Sequence, residues 1–454
     1  MAKQIEIEVR DSLAEVPADQ WNALAQDGNP FLRHEFLNTL DSAGCLGDRT
    51  GWYPRYFLLW EETAGQADTR ELIGAVPAYV KTNSYGEFVF DWAWAEAYER
   101  HQMDYYPKLV SSIPFTPATG RRLLTRADQP FEETVRLLAA GVRQFAISQK
   151  FSGAHFLFLT EAESEILSAN ESTVLSPDDA AATQEGTSTA DAVADTETNA
   201  DEDAVADAVA DADKVETIIN DVGSRATDHL RRLDCQYHWH NKNYSSFDDF
   251  LERCTSKRRK TIRRERRYVT DAELRLEQRL GNTLSEQEWR WVHRFYKSTF
   301  DRKWGNPSLT RKFFEQIGQL MGDKVLIVFA YDPNDEEPDW PVACSIMFIG
   351  TTTLYGRFWG CRAEYNALHF EACYYQGIEY CIENGISRFE PGAQGEHKIT
   401  RGFVPTLTRS AHYIDHPQFR DAIGNFLKQE VPHIQQRCNG LNDLLPFKAD
   451  SIKI

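Results

Sequence analysis

Six polar side chains fall within twelve residues of the segment FEPGAQGEHKITRGF (389–403): Glu390, Gln394, Glu396, His397, Lys398 and Arg401. Gly392 and Gly395 let the intervening backbone turn tightly beside a ligand. His397, whose imidazole titrates near neutrality, is a candidate proton acceptor, and Glu396 or Glu390 would orient it or replace it. Lys398 or Arg401 would hold a phosphate or a carboxylate. The competing reading is a polar turn whose charges pair with one another. The density of polar groups beside two glycines favours chemistry.

Other segments add candidates for binding. Tyr355, Arg357 and Trp359 lie on the apolar run LYGRFWG, and His369 and Glu371 open the helical pattern that follows it. Glu371 suits a helix N-terminus electrostatically, so capping competes with binding for it. A metal site from His369, His397 and His412 lacks close ligand spacing, so no metal is assigned. SKRRKTIRRERRYV (256–269) carries eight bases and one acid between Lys257 and Arg267. Lys257, Arg258, Arg259, Lys260, Arg263 and Arg264 are candidate phosphate contacts; a solvated charged helix is the bland alternative. The proline-rich stretch YYPKLVSSIPFTPATGRR (105–122) offers Tyr106, Lys108 and Arg121, either lining a groove or packing as a lid on its own domain. Asp91 in DWAWAEAY and Lys303 in KWGN are the charged members of two aromatic clusters.

These groups must be positioned by elements that occur twice. DQWNAL and PFLRHEFLNTL read as helices, as do SEQEWRWVHRFY and SLTRKFFEQIGQL. RYFLLW and ELIGAVPAYVK read as strands, as do KVLIVFAY and PVACSIMFIG. SYGEFVFDWAW aligns with LYGRFWGCRAE as a third strand, 270 residues apart. FEETVRLLAAGVRQFAIS and FEACYYQGIEYCIENGIS align as helices at an offset of 239, and each runs into a strand, AHFLFL and RFEPG. The offset falls by 31 because the first copy carries an extra loop, roughly residues 100–130. The order implies an α/β (α+β) domain present twice: 1–160 and 229–454, with 229–246 open to completing the first domain's sheet.

The formal charge of the 454 residues is −19, but residues 161–213 hold 16 acidic residues and no Lys or Arg. The rest has 53 acids against 50 bases, close to neutrality. The stretch 161–228 has the composition of a disordered acidic insertion, because it cannot bury enough apolar surface to offset ordering. The hydrophobic share of 42% excludes wholesale disorder elsewhere. The start MAKQIEIEVRDSLAEV lacks the pattern of a signal peptide, no stretch is apolar enough to span a membrane, and the eight cysteines have no CxxC spacing. A cytoplasmic protein with reduced thiols is expected. Oligomeric state is left open.

The duplicated order resembles the GNAT acyltransferase superfamily. The stretches GEFVFDWAWAEAY, YYPKL, PFTPATGRRLL, RKTIRRERR, KWGNPSLTRKFF, LYGRFWG, LHFEACYYQGIEY and FEPGAQGEHKITRGF resemble its FemAB-like branch, linked to peptidoglycan biosynthesis and recognition. The resemblance covers nearly the whole chain outside 161–228. It implies two tandem GNAT-like domains, each a mixed, mostly antiparallel sheet flanked by helices. It also implies transfer of an acyl or aminoacyl group to an amine, such as a cell-wall precursor, by direct attack without a covalent intermediate. The donor would be an acyl-CoA or an aminoacyl-tRNA. GNAT-type CoA binding uses (Q/R)xxGx(G/A) between strand and helix; Arg357, Gly360 and Arg362 do not reproduce it, which disfavours acetyl-CoA. A non-catalytic module that recognises peptidoglycan precursors is the alternative.

Overall fold

A computed structural model describes residues 3–63, 70–169, 228–301, 306–393 and 395–448. In the first half the order is β1 (Lys3–Arg10), α1 (Ala18–Leu24), α2 (His34–Ser42), β2 (Trp52–Thr63), β3 (Arg70–Lys81), α3 (Trp92–Arg100), β4 (Lys108–Ser111), β5 (Leu124–Thr125), α4 (Phe131–Ser148), β6 (Gly153–Leu159) and α5 (Glu161–Leu167). Helix α4 forms because Val135, Leu138, Ala139, Val142, Phe145 and Ala146 recur at helical spacing, and that stripe is buried against the sheet. Gly141 brings α4 close to β1: a Cβ there would lie 2.5 Å from the Ile7 side chain.

The second half contains β7 (Leu230–His240), α6 (Phe247–Arg253), α7 (Ser256–Asp271), β8 (Arg275–Leu280), α8 (Glu286–Asp301), α9 (Arg311–Met321), β9 (Val325–Tyr331), β10 (Ala343–Ile349) and β11 (Thr353–Cys361). It closes with α10 (368–383), β12 (Arg388–Glu390), β13 (Val404–Ile414) and α11 (Pro417–Gly440). Residues Glu371–Tyr375 of α10 form a π-helical segment.

Among the described residues the strands make one sheet in the order β1-β2-β3-β4-β6-β13-β7-β12-β11-β10-β9-β8, with β5 beside β3. Most neighbours are antiparallel; β4 with β6 and β11 with β12 are parallel. Each half thus repeats one plan, an antiparallel meander ending in one parallel pair. The final strands are exchanged. β13, from the chain's end, pairs with β6 of the first half, and β7 lies between β13 and β12. The α1–α2 and α8–α9 pairs share one core: Phe31 lies 5.0 Å from Phe348 and Phe36 lies 5.6 Å from Phe313, ring centre to ring centre. Each such fully buried ring contributes about 1.5–3 kcal/mol relative to an exposed one.

Three expectations need correction. SYGEFVFDWAW is not a strand: residues 84–91 turn irregularly, and Trp92 begins α3. Asp91, Ser84 and Glu87 turn inward to satisfy Lys108, which extended alternation would not allow. The strand that corresponds to β11 is β4, which lies inside the supposed extra loop; the stretch 108–118 is buried rather than looped out. Finally, Glu161–Leu167, assigned to the acidic insertion, is helical. A capping box between Thr160 and Glu163 starts it, the buried Glu163 carboxylate accepts the backbone N–H groups of Arg122 and Leu123, and Leu167 enters the core. Residues 170–227 lie outside the described residues. No described helix is long and apolar enough to cross a membrane.

Candidate active site at the end of a parallel strand pair

Pairing between β11 and β12 ends at Tyr355 and Glu390, beyond which the strands diverge. The Glu390 side chain emerges at that point, facing the first half. Its Oε2 accepts the backbone N–H of Thr119 at 3.4 Å, across 271 residues of sequence. Oε1 lies 3.2 Å from Nε of Arg388 and 4.0 Å from Nδ1 of His238, without a well-directed hydrogen bond to either. Glu390 is 4% exposed. Burial raises its pKa to about 7, although Arg388, Arg122 and Arg357 pull the other way. His238 is neutral because burial pushes its pKa well below the imidazole range. Its Nε2 lies 3.3 Å from Oε1 of Gln236, whose amide donates to the Pro117 carbonyl. That arrangement puts the ring proton on Nε2 and leaves Nδ1 as a bare acceptor beside Glu390.

The groups around Glu390 also line a cavity of about 350 Å³ between the halves: Asp27, Thr119, His238, Tyr355, Arg388 and Arg409 are in its wall. Three consecutive hydroxyls, Thr351, Thr352 and Thr353, complete a polar lining. Arg388 donates from Nε to Thr353 Oγ1 at 3.1 Å. Its terminal nitrogens make no hydrogen bond to the described residues and remain available to a ligand oxygen. Arg357 reaches from β11 to the Phe115 carbonyl and Thr116 Oγ1 of the first half, tying the two halves together.

The rest of 389–403 serves the opposite face of the sheet. The buried Lys398 donates from Nζ to the Gly392 carbonyl at 2.7 Å, and burial lowers its pKa to about 7. His397 is exposed and bonds to the Tyr374 hydroxyl at 2.9 Å; His369 and Trp359 stand nearby, 5.5 Å apart. Glu396 is turned away from His397 and pairs with Arg437 at 2.8 Å. Arg401 pairs with Glu265 at 2.6 Å and stacks on Phe370. Glu371 is buried against Arg266 at 2.9 Å, a structural ion pair. The structure therefore puts Tyr355 in the cavity wall and Glu390 against the lining residues Thr119 and Arg388, while Arg357 bridges to Phe115 and Thr116 and the His397, Lys398, His369 and Trp359 group lies apart.

Other predicted positions fall elsewhere. Asp91, Tyr106 and Lys108 belong to a buried network in the first half: Lys108 pairs with Asp91 and, at 2.8 Å, with Glu87. Burial alone would raise the Asp91 pKa, but Lys108 outweighs it and holds the carboxyl well below the usual range. His412 bonds to His155 at 2.9 Å in the same network, apart from His397 and His369. The Arg121 guanidinium lies over Phe131, and its backbone N–H donates to Asp27 at the cavity edge. On α7, Arg263 pairs with Asp248, while Lys257, Arg258, Arg259, Lys260 and Arg264 make no ion pair with the described residues. Gln394 and Lys303 lie outside the described residues. His238 and Arg388 escaped notice in the sequence. Arg388 precedes Glu390 by two positions and thus shares its strand face, the one signal that could have flagged it.

No curated protein matches the chain in sequence. Among solved structures it is similar to L-PGS from Bacillus licheniformis, at 9% identity and TM-score 0.45, with 90% of this chain and 96% of that one covered. FemX aligns at 10% identity and TM-score 0.47, covering 93% and 100%. A tandem GNAT protein from the clavulanic acid biosynthesis pathway aligns at 10% identity and TM-score 0.37, covering 91% and 98%. The sequence profile of the FemAB-like family, described as peptidoglycan biosynthesis/recognition, matches residues 12–184 and 214–449, and the chain therefore belongs to that family.

Proposed function

We propose that the protein transfers an acyl or aminoacyl group to an amine acceptor, with the reaction centred on the cavity between the halves and Glu390 as its base. The observation that carries this reading is a buried carboxyl, held near pKa 7, in contact with Thr119, His238 and Arg388 of the cavity lining. An amine acceptor arrives as an ammonium and must lose a proton before it can attack. A base half-ionised near neutrality is suited to take it. In this reading Glu390 accepts the proton, and neutral His238 beside it shares the load through Nδ1. Arg388 faces the carbonyl oxygen of the donor and stabilises the charge that develops there. The amine nitrogen forms the new bond to the carbonyl carbon, and the donor's leaving group departs from the same carbon, with no covalent enzyme intermediate.

The turn between β11 and α10 supports a donor other than acetyl-CoA. Gly360 abuts the helix α8 backbone, where a Cβ would lie 2.0 Å from the Phe295 carbonyl oxygen. Arg362 is bound by Asp335 and the carbonyls of Trp340 and Pro341. Neither is free to cradle a pyrophosphate. The family makes a peptidoglycan precursor the first acceptor to try, with aminoacyl-tRNA as the first donor.

The test is turnover on a panel of acyl-CoA and aminoacyl-tRNA donors with amine acceptors. Glu390→Gln is expected to lower kcat about 100-fold or more, while His397→Ala stays within about tenfold. Normal turnover in Glu390→Gln would overturn the assignment. Tight precursor binding with no turnover on any donor would favour a recognition module instead.

A further inference from the structure

The eight cysteines are all free thiols among the described residues, but two of them meet. Cys235 on β7 and Cys438 near the end of α11, 203 residues apart in sequence, bring their sulfur atoms to 3.1 Å. Helix α11 packs along β7 and β13, so the contact joins the last helix to the strand that links the halves. One residue before Cys438, Arg437 pairs with Glu396 at 2.8 Å, so this end of α11 also clasps the turn carrying His397 and Lys398.

We propose that Cys235 and Cys438 form an oxidation site that a peroxide converts to an intramolecular disulfide. A disulfide bond of about 2.05 Å requires the sulfurs to close by roughly one ångström, within reach of a small shift at the end of a helix. The two thiols are not equivalent. The Cys235 thiol donates its hydrogen to Cys438, which lowers the Cys438 pKa, with Arg437 adding to the effect. Cys438 is therefore the sulfur that reacts first.

The Cys438 thiolate attacks one peroxide oxygen; an S–O bond forms, the O–O bond breaks, and hydroxide leaves to become water. The Cys235 thiol then loses its proton and its sulfur attacks Cys438. The S–S bond forms, the S–O bond breaks, and the second oxygen leaves as water. The two sulfurs together supply the two electrons that reduce the peroxide. Closing a loop of this length restricts the unfolded chain, so the oxidised protein should melt at a higher temperature.

The experiment treats the reduced full-length protein with hydrogen peroxide, alkylates remaining thiols with iodoacetamide, and maps the digest by mass spectrometry. The expected result is a peptide pair cross-linked through Cys235 and Cys438, reversed by dithiothreitol, with an upward thermal shift that dithiothreitol also reverses. In Cys235→Ser the cross-link is absent and dimedone traps a sulfenic acid on Cys438. The proposal fails if both cysteines of the wild-type chain remain alkylatable after peroxide. It also fails if cross-links join other pairs as readily. The wild-type map decides the matter even if the variant does not fold.

Discussion

Glu390 carries a stability consequence as well as a proposed chemical one. Its pKa in the folded chain, about 7, exceeds the ordinary 4.5. A carboxyl shifted upward favours folding at low pH, where it is neutral in both states. That contribution fades as pH rises from about 4.5 through 7, because the folded state must then hold a buried charge. Glu390→Gln keeps the shape without the charge. Its stability relative to the wild type should therefore rise by about 2–3 kcal/mol between pH 5 and pH 8, measured by urea denaturation at each pH. An equal difference at both pH values would mean that the carboxyl is not held near neutrality. The segment around it was legible as a polar, glycine-punctuated site. The proposal of Glu390 over His397 was not, because burial separates them: one is buried against residues that line the cavity and the other is exposed.

At the scale of elements, α7 shows how a run of charge divides into two jobs. Sequence alone gives a helix with basic residues on nearly every face. Packing buries Ile262 and Val269 and turns Glu265 and Arg266 inward, toward Arg401 and toward the Glu371–Glu379 pair. Arg266→Ala leaves the buried Glu371 short of its cation and is expected to cost about 3 kcal/mol in denaturant titration. Lys260→Ala and Arg264→Ala should change stability by less than about 0.5 kcal/mol, yet weaken retention on heparin in a salt-dependent way. Equal retention in those variants would remove α7 as a polyanion surface. The π-helical segment of α10 is a second case, since no sequence period announced it. It contains Tyr374, whose hydroxyl bonds to His397, and Tyr375, whose hydroxyl reaches Glu265.

Across the whole molecule, the exchange of β13 and β7 makes the halves mutually dependent. Expressed alone, residues 1–169 would present β6 as an unpaired edge and are expected to aggregate. Coexpressed with residues 228–454 they should assemble, because β13 then completes the sheet; a soluble, folded 1–169 alone would contradict this. The ends flanking 170–227 are adjacent, with the His229 N–H donating to the Leu167 carbonyl at 3.3 Å. Replacing 170–227 by a short Gly/Ser linker should therefore leave the melting temperature within a few degrees, by calorimetry, since the connection has almost no gap to span.

The repeated helices, all but one of the repeated strands, the acidic composition of the central stretch and the polar segment 389–403 were readable in the sequence alone. Each of those is written in residues close together along the chain. The sequence could not show that β4 lies within the supposed loop, because the inward turn of Asp91 answers to Lys108, seventeen residues away. Nor could it bring Thr119 and His238 to Glu390. Those contacts depend on which strands become neighbours and which exchange, and pairing between distant strands leaves no local period to read. The tertiary structure decided the cavity, and with it which carboxyl is buried beside it.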